Sequence, residues 1–209
     1  MSKTKIPLSA VILAGGDSKR MGESKAFLRL KGKSLIELVF NKLDDLFQEV
    51  IIVTDRFKDF YYLKGAKMTG DIISGEDKNA LRGIHAGIFV SSYNSSFVVG
   101  CDMPFISTPL IKYMSNSASD YDVVTPRVQG HYQPLFTFYN KSALQIITPS
   151  LQERKYKIVA LYPYFEKKVI PEETVRSYDP YLMSFHNINT REAYLEAIKW
   201  LDLEGNNNK

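Results

Sequence analysis

Val11, Ile12 and Leu13 are apolar in succession, without alternation, and the run stops at Ala14. A strand covered on both faces of a parallel sheet reads this way, whereas a half-solvated strand alternates. Past a loop, Phe27-Leu28 and Leu30 alternate weakly before Gly32, and then a helix is signalled. Ser34 is its N-cap with Glu37 three residues on, and Ile36, Val39, Phe40, Leu43, Leu46 and Phe47 fall on one helical face. The run Val50-Ile51-Ile52-Val53 predicts the next strand. Strand, loop, helix, strand is the right-handed crossover unit of an α/β sheet. Thr54 and Asp55 stand just past the carboxyl end of that second strand, the edge where open α/β sheets place ligands.

Residues 56–65 are aromatic and basic and read as a short surface helix without chemistry. A short strand near Met68 ends at Asp71, and a loop over 74–78 leads to a helix over about 80–90 that contains Arg82-Gly83-Ile84-His85-Ala86-Gly87. Glycine in a helix costs about 1 kcal/mol relative to alanine, so two of them four apart point to a close approach by another surface. Phe97-Val98-Val99-Gly100-Cys101 predicts a further strand, stopped by Asp102-Met103-Pro104-Phe105, because Pro104 cannot continue a ladder. Next come a helix over 108–116, a strand over 122–125 and a strand over 135–139 that should pair antiparallel. Helices follow around 141–152 and 157–165, flanking Arg154-Lys155, then a short edge strand over 167–170. Phe185-His186-Asn187-Ile188-Asn189-Thr190 leads into a last helix that Thr190 caps, with Tyr194, Ala197, Ile198 and Leu201 on one face. The tail over 206–209 is expected to fray. The pattern predicts the α/β class: a Rossmann-like three-layer sandwich with a mostly parallel sheet and an antiparallel member, in one domain over 1–209 with neither repeat nor linker.

Composition narrows the function. The chain has 209 residues, 44% apolar and 24% charged, which is ordinary globular usage. A net charge of +4 suits a small anionic ligand, but the basic residues are spread out rather than gathered into a nucleic-acid face, so no nucleic-acid partner is expected. One cysteine, Cys101, excludes an intramolecular disulfide and a cysteine-built metal site, which suggests a reducing compartment. No apolar stretch approaches the ~20 residues that span a bilayer, and no secretory apolar segment follows the first residues, so a cytoplasmic location without membrane contact is expected.

The chemistry concentrates at residues 11–25. There the apolar strand gives way to Gly15-Gly16 and three cations, Lys19, Arg20 and Lys25. Glycines let a ligand approach the main chain, whose successive N–H groups form a nest for anions, and phosphate is the natural guest. Neither common phosphate loop is present. The Walker A spacing fails because Gly22 comes one residue late and Glu23 follows it; the dinucleotide pattern fails because Gly15 and Gly16 are adjacent. Asp71 and Asp102 fall at the same carboxyl edge, and Mg²⁺ needs only one or two carboxylates beside phosphate oxygens and water. A nucleoside triphosphate with Mg²⁺ fits this mixture, since displacement at phosphorus is mostly positioning and charge stabilisation. His85, His131 and His186 lack metal-ligand spacing and read as structural or surface residues.

The string L-A-G-G-x-S-x-R-M-G-x-x-K over 13–25 resembles the signature loop of the molybdenum cofactor guanylyltransferase family. Gly100-Cys101-Asp102-Met103-Pro104-Phe105 is similar to that family's metal-aspartate motif, Gln133-Pro134-Leu135-Phe136 to its Q-P-L-hydrophobic strand, and Asn187-Ile188-Asn189-Thr190 to its N-x-N-T turn. The resemblance implies transfer of GMP from GTP to the phosphate of molybdopterin, with pyrophosphate leaving and Mg²⁺ as cofactor. It implies nucleotide binding by Leu13, Ala14, Gly15, Gly16, Lys25, Thr54, Asp71, Gly83 and Asp102, catalysis by Lys25, Arg20 and Asp102, and metal binding by Asp102. Gln133, Asn187 and Asn189 would lie towards the pterin acceptor. A nucleotide-binding half would then cover about 6–105 and an acceptor-binding half about 106–203, with molybdoenzyme apoproteins or their chaperones as further partners. The family's G-P-L-A-G guanine segment appears as Gly83-Ile84-His85-Ala86-Gly87, departing at Ile84 and His85. Three other functions compete: cytidylyl transfer to the same pterin, a same-fold transferase acting on a sugar- or alcohol-phosphate, and a non-catalytic module that binds GTP or the cofactor.

Overall fold

The computed structural model describes residues 4–15, 25–73, 75 and 79–207, without the side chains of Lys25 and of 202–207. Its centre is β1 (Ile6–Leu13), in which Ala10, Val11 and Ile12 have no solvent exposure. Parallel neighbours flank it: β4 (Phe47–Val53) on one side and β6 (Ser95–Gly100) on the other. The unbroken apolar run of β1 thus follows from its having two neighbours and two covered faces. Beyond β4 lies β5 (Lys67–Thr69), also parallel. Beyond β6 the order continues through β9 (Phe136–Asn140) and β7 (Val123–Val128) to β10 (Lys167–Pro171) at the edge, with β8 (His131–Tyr132) pairing to β7. β9 runs antiparallel to both β6 and β7, and β10 is parallel to β7. The mostly parallel sheet, its antiparallel member and the edge strand over 167–170 are therefore as the sequence predicts.

Helices cover both faces. On one lie α1 (Leu35–Asp44), α3 (Thr108–Ser115) and α5 (Glu172–Tyr178), whose Ile36, Val39, Leu43, Leu110, Met114 and Val175 join the core with Ile12, Phe47 and Phe97. On the other lie α2 (Ala80–Val90) and α4 (Leu144–Gln152), whose Leu81, Ile84, Ile88, Ile147 and Leu151 pack on Val11, Ile51 and Val98. Each fully buried side chain of this kind contributes about 1.5–3 kcal/mol. A third cluster joins Ala197 of α6 (Arg191–Asn207) to Leu35 and Ile188, and to Leu30 of a small hairpin, β2 (Arg29–Leu30) and β3 (Lys33–Ser34). The hairpin turn uses Lys31 and Gly32, both at positive φ, the twist that a two-residue connection demands.

α1 starts where its capping box predicts. The Glu37 N–H donates to Ser34 Oγ at 3.4 Å, and the Glu37 carboxylate accepts from the Ser34 N–H at 2.6 Å. Hydrogen bonds from Ser34 hold that carboxyl below its usual range. Thr190 caps α6 as expected, its Oγ1 accepting from the Ala193 N–H at 3.1 Å.

Some boundaries need correcting. α1 ends at Asp44, so Leu46 and Phe47 are not on it: Leu46 closes a turn onto Leu43, and Phe47 opens β4, stacked 6.0 Å from Phe97. Apolar residues continue across that junction because strand and helix face the same core, which hides the change of period. The segment read as a helix over 157–165 is a 3-10 helix, Ile158–Tyr164, that contains Pro163. Lys141–Ala143 forms a separate 3-10 turn before α4. The expected strand near Met68 stops at Thr69, two residues before Asp71. α5 was not foreseen, and α6 continues as helix to Asn207 where fraying was expected from 206. No described helix is long and apolar enough to cross a membrane.

Gly83 and Gly87 explain their cost. A Cβ on Gly87 would lie 2.3 Å from Val11 Cγ1, and one on Gly83 would lie 3.1 Å from Leu13 Cδ2, so the α2 backbone rests directly on β1. Gly87→Ala should therefore destabilise the fold by about 1–2 kcal/mol in urea unfolding. A 2.3 Å approach places the overpacking cost at the upper end of its usual range, ~2–3 kcal/mol, against a helix-propensity gain of ~1. A variant as stable as the parent would contradict this seating.

Candidate active site

The central strand ends between two neighbours, Leu13 lying opposite Val53 on one side and Gly100 on the other. As the chain leaves the sheet, the Ala14 N–H donates to the Val53 carbonyl at 2.9 Å, and the Cys101 N–H donates to the Leu13 carbonyl at 3.1 Å. A cavity of about 360 Å³ opens at this carboxyl edge, within the usual range for small-molecule sites. Leu13, Gly15, Thr54, Asp71 and Gly83 line it, all of them expected nucleotide residues. Ala14 does not line it but packs partly buried against the core.

Each wall has a local cause. Thr54 is buried, its N–H donates to the Thr69 carbonyl at 2.8 Å and its Oγ1 accepts from the Arg56 N–H at 3.0 Å, so its hydroxyl turns the chain. Gly83 leaves the floor to Leu13 and Val53, since it has no side chain to interpose. α2 begins at the cavity: Asn79 and Ala80 line it, and Asn79 Oδ1 caps the helix by accepting from the Arg82 N–H at 3.1 Å. The positive end of a helix dipole therefore adjoins the space, a favourable place for phosphate.

Sequence reasoning missed Phe57, Gly75 and Asn79, which also line the cavity. Reading 56–65 as chemically silent is corrected at Phe57, which stands two residues past Asp55 and so just beyond the strand end. Asn79 was readable from helix capping, three residues ahead of Arg82. Gly75 carried no signal beyond being a loop glycine.

Asp102, half-buried after β6, lines no part of that cavity. Its carbonyl accepts from the Ile188 N–H at 2.9 Å, which brings Asn187 and Asn189 to the same turn. Gln133 sits before β9, whose Phe136 pairs with Val99, so it stands at the same sheet edge. Its backbone is tied down: the Gln133 N–H donates to the Pro126 carbonyl at 3.1 Å, and the buried Thr137 hydroxyl donates to the Gln133 carbonyl at 2.6 Å. The Tyr139 hydroxyl donates to the next carbonyl, Pro134, at 3.0 Å. The predicted residues thus form a cavity group and an Asp102 group along one edge. Gly16, Lys19 and Arg20 lie outside the described residues, as does the side chain of Lys25.

Of the histidines, His131 is exposed and His186 Nε2 approaches Glu196 at 3.9 Å. His85 is buried on the far side of α2 from β1, with Nε2 3.2 Å from Thr148 Oγ1 and its ring stacked on Phe89. A larger cavity, about 510 Å³, lies between α1, α6 and residues 178–183, with Phe105, Tyr181 and Trp200 on its wall. Among the described residues, none of the predicted site residues lines it.

A glycine-bearing strand end, a helix N-terminus and a carboxylate after the adjacent strand, all on one edge of a mostly parallel sheet, define a nucleotide-handling enzyme of the α/β class. The sequence profile of the MobA-like NTP transferase domain matches residues 10–164. The chain belongs to this family of nucleotidyltransferases. A relative from Natranaerobius thermophilus, named "Probable molybdenum cofactor guanylyltransferase", is 39% identical over 93% of this chain and 96% of its own. One of the same name from Pelotomaculum thermopropionicum is 36% identical over 90% and 91%. Among solved structures, molybdopterin-guanine dinucleotide biosynthesis protein A from Archaeoglobus fulgidus superposes with a TM-score of 0.82 at 26% identity, covering 93% of this chain and 98% of that one.

Burial holds the His85 pKa below its ordinary value of about 6.5. The unfolded chain therefore takes up this proton first, and the stability due to neutral His85 is present above about pH 6.5 and is lost as pH falls through the lower folded pKa. Urea unfolding at pH 7.5 and pH 5.0 should show a larger acid loss for the parent than for His85→Leu. Equal losses would remove His85 from the acid response.

Proposed function

We propose that this chain transfers GMP from GTP to the phosphate of a molybdopterin-type acceptor, releasing pyrophosphate. The observation that carries the reading is the cavity at the ends of β1 and β4: Leu13, Gly15, Thr54, Asp71 and Gly83 line one space beside the N-terminus of α2. Guanine as the base and a molybdopterin as the acceptor are supported by the names of the relatives. The nucleotide half would run over about 6–105 and the acceptor half over about 106–203. The base assignment gains from a detail of α2. Ile84 and His85, where the guanine segment departs from the family pattern, do not line the cavity: Ile84 is in the core and His85 faces Thr148.

In the reaction an acceptor phosphate oxygen attacks the α-phosphorus of GTP. The bond from that phosphorus to the bridging oxygen breaks, and pyrophosphate leaves with the electron pair. The Gly15-Gly16 backbone and the dipole of α2 bind the triphosphate, Lys25 and Arg20 neutralise the charge that develops on it, and Asn187, Asn189 and Gln133 orient the acceptor beside Asp102. The donor set fits Mg²⁺. Asp102 supplies a half-buried carboxylate at a strand end, and Mg²⁺ takes one or two carboxylates together with phosphate oxygens and waters. Asp102 would hold the ion, whose chemistry is charge neutralisation and alignment of phosphate oxygens. We place the reaction in the cytoplasm, with molybdoenzyme apoproteins or their chaperones receiving the product.

Calorimetry with GTP, CTP, ATP and UTP, each with Mg²⁺, tests the nucleotide. Ligand at 100 times its dissociation constant stabilises a fold by about 2.7 kcal/mol, so a thermal shift selective for GTP should follow. Selectivity for CTP would replace guanylyl by cytidylyl transfer, and binding of none would remove the reading. In turnover, Lys25→Ala should lower the rate by about 10²–10³, the usual loss for one preorganised charge donor. Asp102→Ala should abolish Mg²⁺-dependent turnover, and parental rates in either variant would overturn that residue's assignment.

A further inference from the structure

Arg82 is only 4% exposed and lies in the first turn of α2, where the helix dipole already disfavours a cation. Burying a charge requires compensation, and no carboxylate among the described residues pairs with this one. Its partners among the described residues are a carbonyl, a hydroxyl and a ring. Nη1 donates to the Gly75 carbonyl at 2.6 Å, Nη2 donates to the Tyr156 hydroxyl at 3.3 Å, and the guanidinium lies 5.3 Å from the centre of the Tyr156 ring. Nε is buried without a partner. Gly75 is fitted to this arrangement, since a Cβ there would lie 1.8 Å from Nη2 and 2.5 Å from Cζ. Gly75 also lines the nucleotide cavity, whereas neither Arg82 nor Tyr156 does.

We propose that Arg82 is a positioning residue for the nucleotide: it clasps the Gly75 backbone to Tyr156, fixes that wall of the cavity, and so sets nucleotide affinity without touching the ligand. The inference rests on the nucleotide reading of the cavity. The planar fork is essential to it, because a lysine ammonium cannot reach the Gly75 carbonyl, donate to the phenol and lie over the ring together. Tyr156 belongs to the segment after α4, so the clasp joins the nucleotide cavity to the second half of the chain.

The test compares the parent with Arg82→Met, Arg82→Lys, Gly75→Ala and Tyr156→Phe. In the unliganded protein, amide exchange at Gly75 and Asn79 should quicken about 10- to 100-fold in Arg82→Met, the size of one charge-assisted hydrogen bond, while exchange over 84–88 stays unchanged. In turnover, the KM for GTP should rise by about the same factor with kcat and the acceptor KM held within about threefold, and Arg82→Lys should not rescue it. Tyr156→Phe should give a smaller rise. Gly75→Ala combined with Arg82→Met should be no worse than the worse single variant, because both break one contact. Parental exchange at Gly75 in Arg82→Met would overturn the clasp, as would exchange quickening equally throughout α2, a fall in kcat at constant KM for GTP, or rescue by lysine. Should the parent bind no nucleotide, the proposed function fails, and exchange at Gly75 without ligand still decides for or against the clasp.

Discussion

Everything at the carboxyl edge depends on how closely α2 lies against β1. Gly87 meets Val11 and Gly83 meets Leu13 without side chains between them, so the helix axis is held at a distance that alanine would increase. That contact fixes where α2 begins, and therefore where its dipole ends and where Asn79 and Ala80 stand. It also leaves the floor of the cavity to Leu13 and Val53. Packing and ligand space are here one feature, since the missing Cβ atoms that seat the helix also open the site.

Much of this was legible because local rules and tertiary structure agree. The apolar run of β1 announced a two-sided strand, Ser34 and Glu37 announced a capping box, and Thr190 announced the start of α6. Agreement of this kind marks a sequence whose local preferences support its fold. Legibility failed where one core serves two periods, as at Leu46 and Phe47, and where chain geometry rather than residue type places a group. Phe57 reaches the cavity because β4 delivers it to the edge, and its composition alone resembles any exposed aromatic. Gly75 matters because a guanidinium occupies the space beside it, a neighbour that only the folded chain supplies.

The edge divides by origin. The described cavity walls come from residues 13 to 83, and β1, β4, β5 and α2 that carry them are neighbours in sequence and in space. The Asp102 group instead gathers residues from β6, from the turn before β9 and from the approach to α6. Buried hydroxyls hold the turn before β9, the Thr137 hydroxyl donating to the Gln133 carbonyl and the Tyr139 hydroxyl to that of Pro134. Such bonds resist substitution at the surface, so side chains on this part of the edge can change while their scaffold stays in place.

The single backbone bond from the Ile188 N–H to the Asp102 carbonyl has a temporal consequence. A chain emerging from synthesis can close the β1–β4–α2 unit early, because its contacts are short in sequence and cheap in loop entropy. The turn bearing Asp102 waits for the final buttress, which arrives only with the approach to α6. A growing polypeptide therefore holds all the residues of its cavity walls well before it holds the Ile188 segment that buttresses the Asp102 turn.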